Sequence, residues 1–211
     1  VTNYQGIMKI LVRTALLSLL LVSPALADPP EDAPVAALDA ALIATMKSGS
    51  AGKSFNDRYA ALDPTVVQSF DMPVILQNSV GFLWSTVPAD QQAALAKLFE
   101  QFTVASYVSQ FNGFGGQQIN ILPAEKTLGD KKIVETQLVP ADGSAPTELD
   151  YVVAPSGAGW QITDVLLNGT ISQVAVHASD FSALVTSGDA SQLITALKGK
   201  VSALSSGALS P

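Results

Sequence analysis

Two adjoining runs decide the fold: TELDYVVA at residues 147–154 and GWQITDVLL at residues 159–167. In the first, Leu149, Tyr151 and Val153 fall on one face and Glu148 and Asp150 on the other, the period-two pattern of a half-buried strand. In the second, the same counting sets Trp160, Ile162 and Leu166 together and puts Asp164 on their greasy face. The turn at Pro155, Ser156 and Gly157 suits an antiparallel return and is far too short for a crossover helix.

Upstream, two more runs alternate. Residues 117–122 carry Ile119 and Ile121 on one side, and residues 132–139 set Val134, Thr136 and Leu138 against Ile133, Glu135 and Gln137. Gly129-Asp130 and Asp142-Gly143 mark the turns. Four antiparallel strands with one apolar face need a cover. The flanking sequence supplies helices, so the expected class is α+β.

The first half reads as helix. After Ala33-Pro34, Leu38, Leu42 and Met46 recur every four residues until the run from Ser48 to Gly52. Ser54, with Asp57 three residues on, marks a cap before Phe55, Tyr59 and Leu62. Asp63-Pro64 reads as a fresh start for Val66, Val67 and Phe70. Asp71 and Pro73 begin a short helix through Trp84, with Gly81 inside it. The strongest helix starts near Pro88-Ala89-Asp90 and carries Leu95, Leu98, Phe99, Phe102 and Ala105 toward Gln110, and FNGFGG at residues 111–116 ends it. Past Asn168-Gly169, Thr170 is expected to cap a helix with the stripe Ile171, Val174, Ala175, Ala178, Phe181, Leu184 and Val185, closed by Ser187-Gly188. A last helix, with Leu193, Leu197, Val201 and Leu204, precedes a tail at 205–211 that is expected to fray. One domain over residues 28–204 is expected, helix-rich to about residue 115.

The first 27 residues stand apart. Lys9 and Arg13 precede a nine-residue apolar core, TALLSLLLV at 14–22, and Ala25-Leu26-Ala27 offers a small-x-small cleavage site. That is the pattern of a cleaved signal peptide, too short for a spanning helix. Met8 is its natural start, with residues 1–7 a possible start-site artefact. The expected compartment is the periplasm. Cleavage removes two basic groups and no acid, taking the formal charge from −7 to −9. Bulk charge therefore favours neither nucleic acid nor an anionic membrane. The sequence has no cysteine, which excludes disulfides, thiol nucleophiles and thiolate metal sites.

Catalytic patterns are thin. His177 is the only histidine, and no nucleophile stands at helical spacing from it. One histidine without cysteine also makes a metal centre a poor reading. No phosphate loop occurs. Asp164 admits three readings: an acid or base in a pocket, a polar anchor for a ligand, or a local hydrogen bond at a strand bend. Aromatic residues from Phe82 to Phe181 span helices and sheet. They serve equally as packed core or as the lining of an apolar cavity.

Several blocks, in order, resemble a known family. They are Phe55-Asn56-Asp57-Arg58-Tyr59, Phe70-Asp71-Met72-Pro73, Gly81-Phe82-Leu83-Trp84, Phe111-Asn112-Gly113-Phe114, Gly159-Trp160-Gln161-Ile162-Thr163-Asp164-Val165, Asn168-Gly169-Thr170-Ile171-Ser172-Gln173 and Ser179-Asp180-Phe181. From about Phe55 to Leu204 the chain resembles the toluene-tolerance Ttg2D/MlaC family of periplasmic lipid-binding proteins, and the block at 168–173 points to its hopanoid-biosynthesis-associated branch. Relatives often carry basic residues before Ser-Asp-Phe, where this chain has His177 and Ala178.

The resemblance implies a curved, cystatin-like sheet, no cofactor and no metal. It also implies a carrier that shuttles hopanoid or phospholipid, its tails in a cavity between sheet and helices, and that works with an inner-membrane transporter or biosynthesis complex. At about 0.8 kcal/mol per methylene, a chain of about 15 methylenes needs roughly 12 kcal/mol of apolar transfer energy recovered inside its host. The residues it suggests for lipid contact are Trp84, Phe99, Tyr107, Tyr151, Trp160, Ile162, Ile171 and Phe181. Two other classes stay open: an adaptor with a solid core, docking on a membrane complex, and an isomerase or hydrolase using Asp164.

Overall fold

A computed structural model describes residues 29–211; the signal-peptide expectation lies outside the described residues. Six helices and five strands follow one another: α1 (Ala33–Ser50), α2 (Phe55–Ser69), α3 (Met72–Val80), α4 (Ala89–Gln110), β1 (Gln118–Leu128), β2 (Lys131–Val139), β3 (Thr147–Ser156), β4 (Gly159–Leu167), β5 (Ile171–Ser172), α5 (Gln173–Phe181) and α6 (Ser191–Leu204). The strands form one antiparallel meander in sequence order. Among the described residues no helix is long and apolar enough to cross a membrane.

Register explains which side chains face the helices. Val134 pairs with Tyr151, Tyr151 with Val165 and Leu149 with Leu167, so all five share the inner face. The α+β class, with helices over one face of a curved sheet, is the one the alternating runs predict. The sheet is larger than the four strands expected. β1 runs on to Leu128 across an irregularity between Ile121 and Glu125, and the two-residue β5 adds an edge.

Four local expectations need correction. Strict alternation along β4 fails because the pairing shifts between Val152 and Val153: Val153 faces Ile162, while Val152 faces Asp164. The extra residue, Thr163, flips the parity, so Val165 and Leu167 follow Ile162 inward in place of Asp164 and Leu166. Pro64 lies inside a continuous α2 and starts no new helix. It forfeits one i→i−4 hydrogen bond, while Leu62 and Val66 on either side stay buried on one face. Gly81 ends α3 and is not interior to it, at φ 73° and ψ −147°, a region open essentially to glycine alone. Finally, Ile171 and Ser172 are extended, it is Ser172, not Thr170, that caps α5 through the Ala175 amide, and that helix stops at Phe181, short of the expected end at Ser187-Gly188.

Elsewhere the caps match their sequence signals. Ser54 Oγ accepts from the Asp57 amide and Asp71 Oδ1 from the Val74 amide. Helix α1 runs through Gly49 to Ser50, farther than its terminal glycine and serines suggest. The FNGFGG loop docks there: the Phe114 amide donates to Ser50 Oγ, and Lys47 sits over the Phe114 ring. A Cβ on Gly49 would stand 2.0 Å from the Asn112 carbonyl oxygen. Beyond Leu204 the chain turns back on itself, with the Gly207 amide donating to the Ser202 carbonyl and Leu209 to the hydroxyl of buried Ser205.

The core lies between sheet and helices, around Leu38, Leu42, Leu95, Phe99, Tyr151, Ile162, Phe181 and Leu193. Helices and sheet are joined at the α2–α3 junction: the Asp71 amide donates to the Ile162 carbonyl, and the Gln161 amide group to the carbonyls of Gln68 and Phe70. Helix α4 packs on α6 and α2, whereas α5 packs on α3 and β4. That division leaves a gap between α4 and α5 over the inner face of the sheet.

Candidate functional site: an apolar cavity between two helices and the sheet

The gap is a cavity of about 290 Å³. Helix α4 supplies Phe99, Phe102, Thr103, Ser106, Tyr107 and Gln110, one continuous face at i, i+3, i+4, i+7, i+8 and i+11. The sheet contributes Leu149 and Tyr151 of β3, together with Val165 and Leu167, which the shifted β4 register turns inward. Phe70, Met72 and Ile75 close one side, and Gln173, Val174 and His177 of α5 the other. The buried walls are mostly apolar, with Tyr107 and Tyr151 among them; exposed Gln110 and half-buried Gln173 and His177 give the rim its polar groups.

Asp164 has a definite role. Its carboxylate accepts from the Ser172 hydroxyl, from the Val174 amide at 3.0 Å and from the Val165 amide at 2.8 Å. These bonds fix the start of α5, hence one cavity wall, to β4. Of the three sequence readings this is the local hydrogen bond at the strand end, although the side chain also borders the cavity.

His177 spans the gap. Its ring stacks on Phe181, with centroids 5.5 Å apart, and meets the edges of Phe99 and Phe102 on α4 at 5.7 Å each. Burial and then the positive charge of Lys200 push its pKa below the usual histidine range, against a weaker pull from Asp180 and Asp164. The neutral imidazole thus acts as a fourth aromatic ring in that cluster. Lys200 itself pairs with Asp180 at 3.2 Å and lies over Phe102.

Of the residues suggested for lipid contact, the structure brings Phe99, Tyr107 and Tyr151 together on the cavity wall. The other five lie elsewhere. Ile162 is fully buried and its backbone bridges to Phe70, and Phe181 packs behind the wall against Phe99 and His177. Trp84 and Trp160 are half-buried at the edge of the core. Ile171 is 46% exposed on β5. Sequence reasoning missed Phe102, Thr103, Ser106 and Gln110, although their spacing from Phe99 was a readable signal. It also missed Val165 and Leu167, for which strict alternation pointed the wrong way.

A helix-covered antiparallel sheet with an apolar cleft beneath its longest helix defines a binding scaffold. The MlaC protein family profile matches residues 37–199, and the chain belongs to that family. Among solved structures, the fold is similar to that of a phospholipid-binding protein from Ralstonia solanacearum in complex with a phospholipid, with a TM-score of 0.70 and 21% identity, covering 82% of this chain and 98% of that one. No curated protein matches the chain.

Proposed function

We propose that the chain is a periplasmic lipid-binding carrier that holds the apolar part of a hopanoid or phospholipid in the cavity between α4, α5 and the sheet. The observation that carries the reading is the cavity itself: continuous, open at a polar rim, and walled by Phe70, Ile75, Phe99 and Leu149. Membership of the MlaC family and the phospholipid in the similar Ralstonia protein support it. Asp164 spends its oxygens on Ser172, Val174 and Val165, which speaks for a structural anchor rather than an acid or base.

At about 290 Å³ the space is at the lower end of the roughly 300–1,000 Å³ of drug-sized sites. A whole lipid therefore requires α5 to move away from α4. Among the described residues no lysine or arginine lines the cavity, and His177 is biased to its neutral form. This lining suits a neutral or weakly polar lipid better than an anionic head group, and it agrees with the resemblance to the hopanoid-associated branch. Transfer to an inner-membrane transporter or biosynthesis complex belongs to the same proposal.

Native mass spectrometry of protein from its own cells tests it. Stoichiometric co-purified lipid is the expected result and identifies the class. Protein that is reproducibly empty, and takes up nothing from vesicles, would overturn the reading.

A further inference from the structure

Behind the aromatic wall lies a carboxyl group that the fold leaves unsatisfied. Asp39, on α1, is only 6% exposed, and both of its carboxylate oxygens are buried without a well-formed hydrogen bond. The Tyr151 hydroxyl of β3 lies close enough to act on it as a hydrogen-bond donor, without a bond of full geometry to either oxygen. Burial, and after it the charge of nearby Asp39, push the phenol of Tyr107 on α4 up. Three oxygen functions from three elements thus lie near enough to act on one another electrostatically. Two of them, Tyr107 and Tyr151, are also on the cavity wall. Around them the deeply buried part of the wall is apolar, with Phe70, Met72, Ile75 and Phe99. A buried polar group without a full partner is destabilising, so a site serving hydrocarbon alone would be better lined by apolar side chains.

We propose that Tyr107, Tyr151 and Asp39 form a polar floor that hydrogen-bonds a neutral oxygen function, a hydroxyl or an ester carbonyl, on the part of the lipid that enters the cavity. The inference rests on the lipid-binding reading and narrows its ligand class. A tyrosine hydroxyl donates to the ligand oxygen. A ligand hydroxyl, in turn, donates to the Tyr151 oxygen, whose own hydroxyl is directed to Asp39 behind the wall. Burial pushes the Asp39 carboxyl up to about 7. Near neutral pH the group therefore also exists in its protonated form, which both donates and accepts. A plain alkane leaves all three groups as they are, so the cavity prefers oxygenated lipids over hydrocarbon of equal length.

The test compares octadecan-1-ol with octadecane, both offered from cyclodextrin complexes to delipidated full-length mature protein, with uptake read by native mass spectrometry. The wild type is expected to take the alcohol about tenfold better, the effect of one or two net hydrogen bonds. In the Tyr107→Phe/Tyr151→Phe double variant, and separately in Asp39→Leu, the alcohol-to-alkane ratio is expected to fall toward one. Equal uptake of both probes by the wild type, or an unchanged ratio in folded variants, overturns the polar floor and leaves lipid binding standing. Uptake of neither probe, with none of phospholipid from vesicles, overturns the lipid reading itself. Should a variant fail to fold, the infrared carboxyl band of Asp39 in the wild type decides: it must shift with the alcohol and not with the alkane.

Discussion

The Ser172 hydroxyl that caps α5 donates at the same time to the carboxylate of Asp164 on β4. One side chain thus closes a helix terminus and ties that helix to the sheet. The Val174 amide adds a second tie to the same carboxylate.

Asp164→Ala is therefore expected to destabilise the protein by about 1–3 kcal/mol, since the Ser172 hydroxyl and the Val174 amide both lose their acceptor. Asp164→Asn, which keeps one carbonyl oxygen, should cost less. Urea denaturation gives the stability, and amide hydrogen exchange across residues 173–181 should rise before exchange elsewhere does. Unchanged exchange in α5 would refute the tie.

Stability should depend on pH through Asp39. Its carboxyl titrates near 3.8 when unfolded and at about 7 when folded, because burial disfavours the charge. The folded state holds the proton more tightly, so the contribution of this group is full below about pH 3.8, falls as pH rises, and is gone above about 7. The loss is bounded by about 4 kcal/mol. Asp39→Asn should flatten the profile across that window in denaturation measured from pH 4 to 8. A wild-type curve no steeper than the variant's would contradict the assignment.

His177 works in the opposite sense. Burial and Lys200 lower its folded pKa below the unfolded 6.5, so its contribution is present above about pH 6.5 and is lost as pH falls through the folded value. His177→Phe should keep the ring cluster with Phe99, Phe102 and Phe181 and remove that acid-side loss. The imidazole resonances, followed by NMR titration, give the folded pKa directly; a value at or above 6.5 would be inconsistent with the packing.

Filling the cavity should block it. Ser106 is half-buried on the cavity face of α4, and its hydroxyl bonds only to the Phe102 carbonyl of its own helix. Ser106→Phe is expected to reduce lipid uptake at least about tenfold, with a stability change within about 1–3 kcal/mol. Full uptake by a folded Ser106→Phe protein would place the lipid elsewhere.

Gly49→Ala should cost about 1–3 kcal/mol or more, because the new methyl meets the Asn112 backbone and no flexible side chain can yield. Gly52→Ala, which meets no neighbouring atom, carries only the strain of its positive φ and serves as the comparison in thermal melts.

Local rules written into the sequence determined most of the elements. Alternation in 147–154 set Leu149, Tyr151 and Val153 on one face, Ser54 and Asp71 marked helix starts, and the turn dipeptides limited the sheet to antiparallel neighbours. Each of these depends on a few adjacent residues and the geometry of one element. The expectations that failed depend on a partner remote in sequence. The register shift opposite Val152 reversed the facing of Val165 and Leu167, and no period within β4 announces it. Pro64 stays inside a helix because the apolar residues around it are buried against the rest of the fold. Asp39 shares a helix face with Leu42 and Met46 at i+3 and i+7, a spacing that flags a carboxyl on a buried stripe. Its meeting with Tyr107 and Tyr151 needed α1, α4 and β3 brought together. The space between α4 and α5 is likewise a property of packing alone: α4 leans on α6 and α5 on α3, and a cavity is what neighbouring surfaces fail to fill.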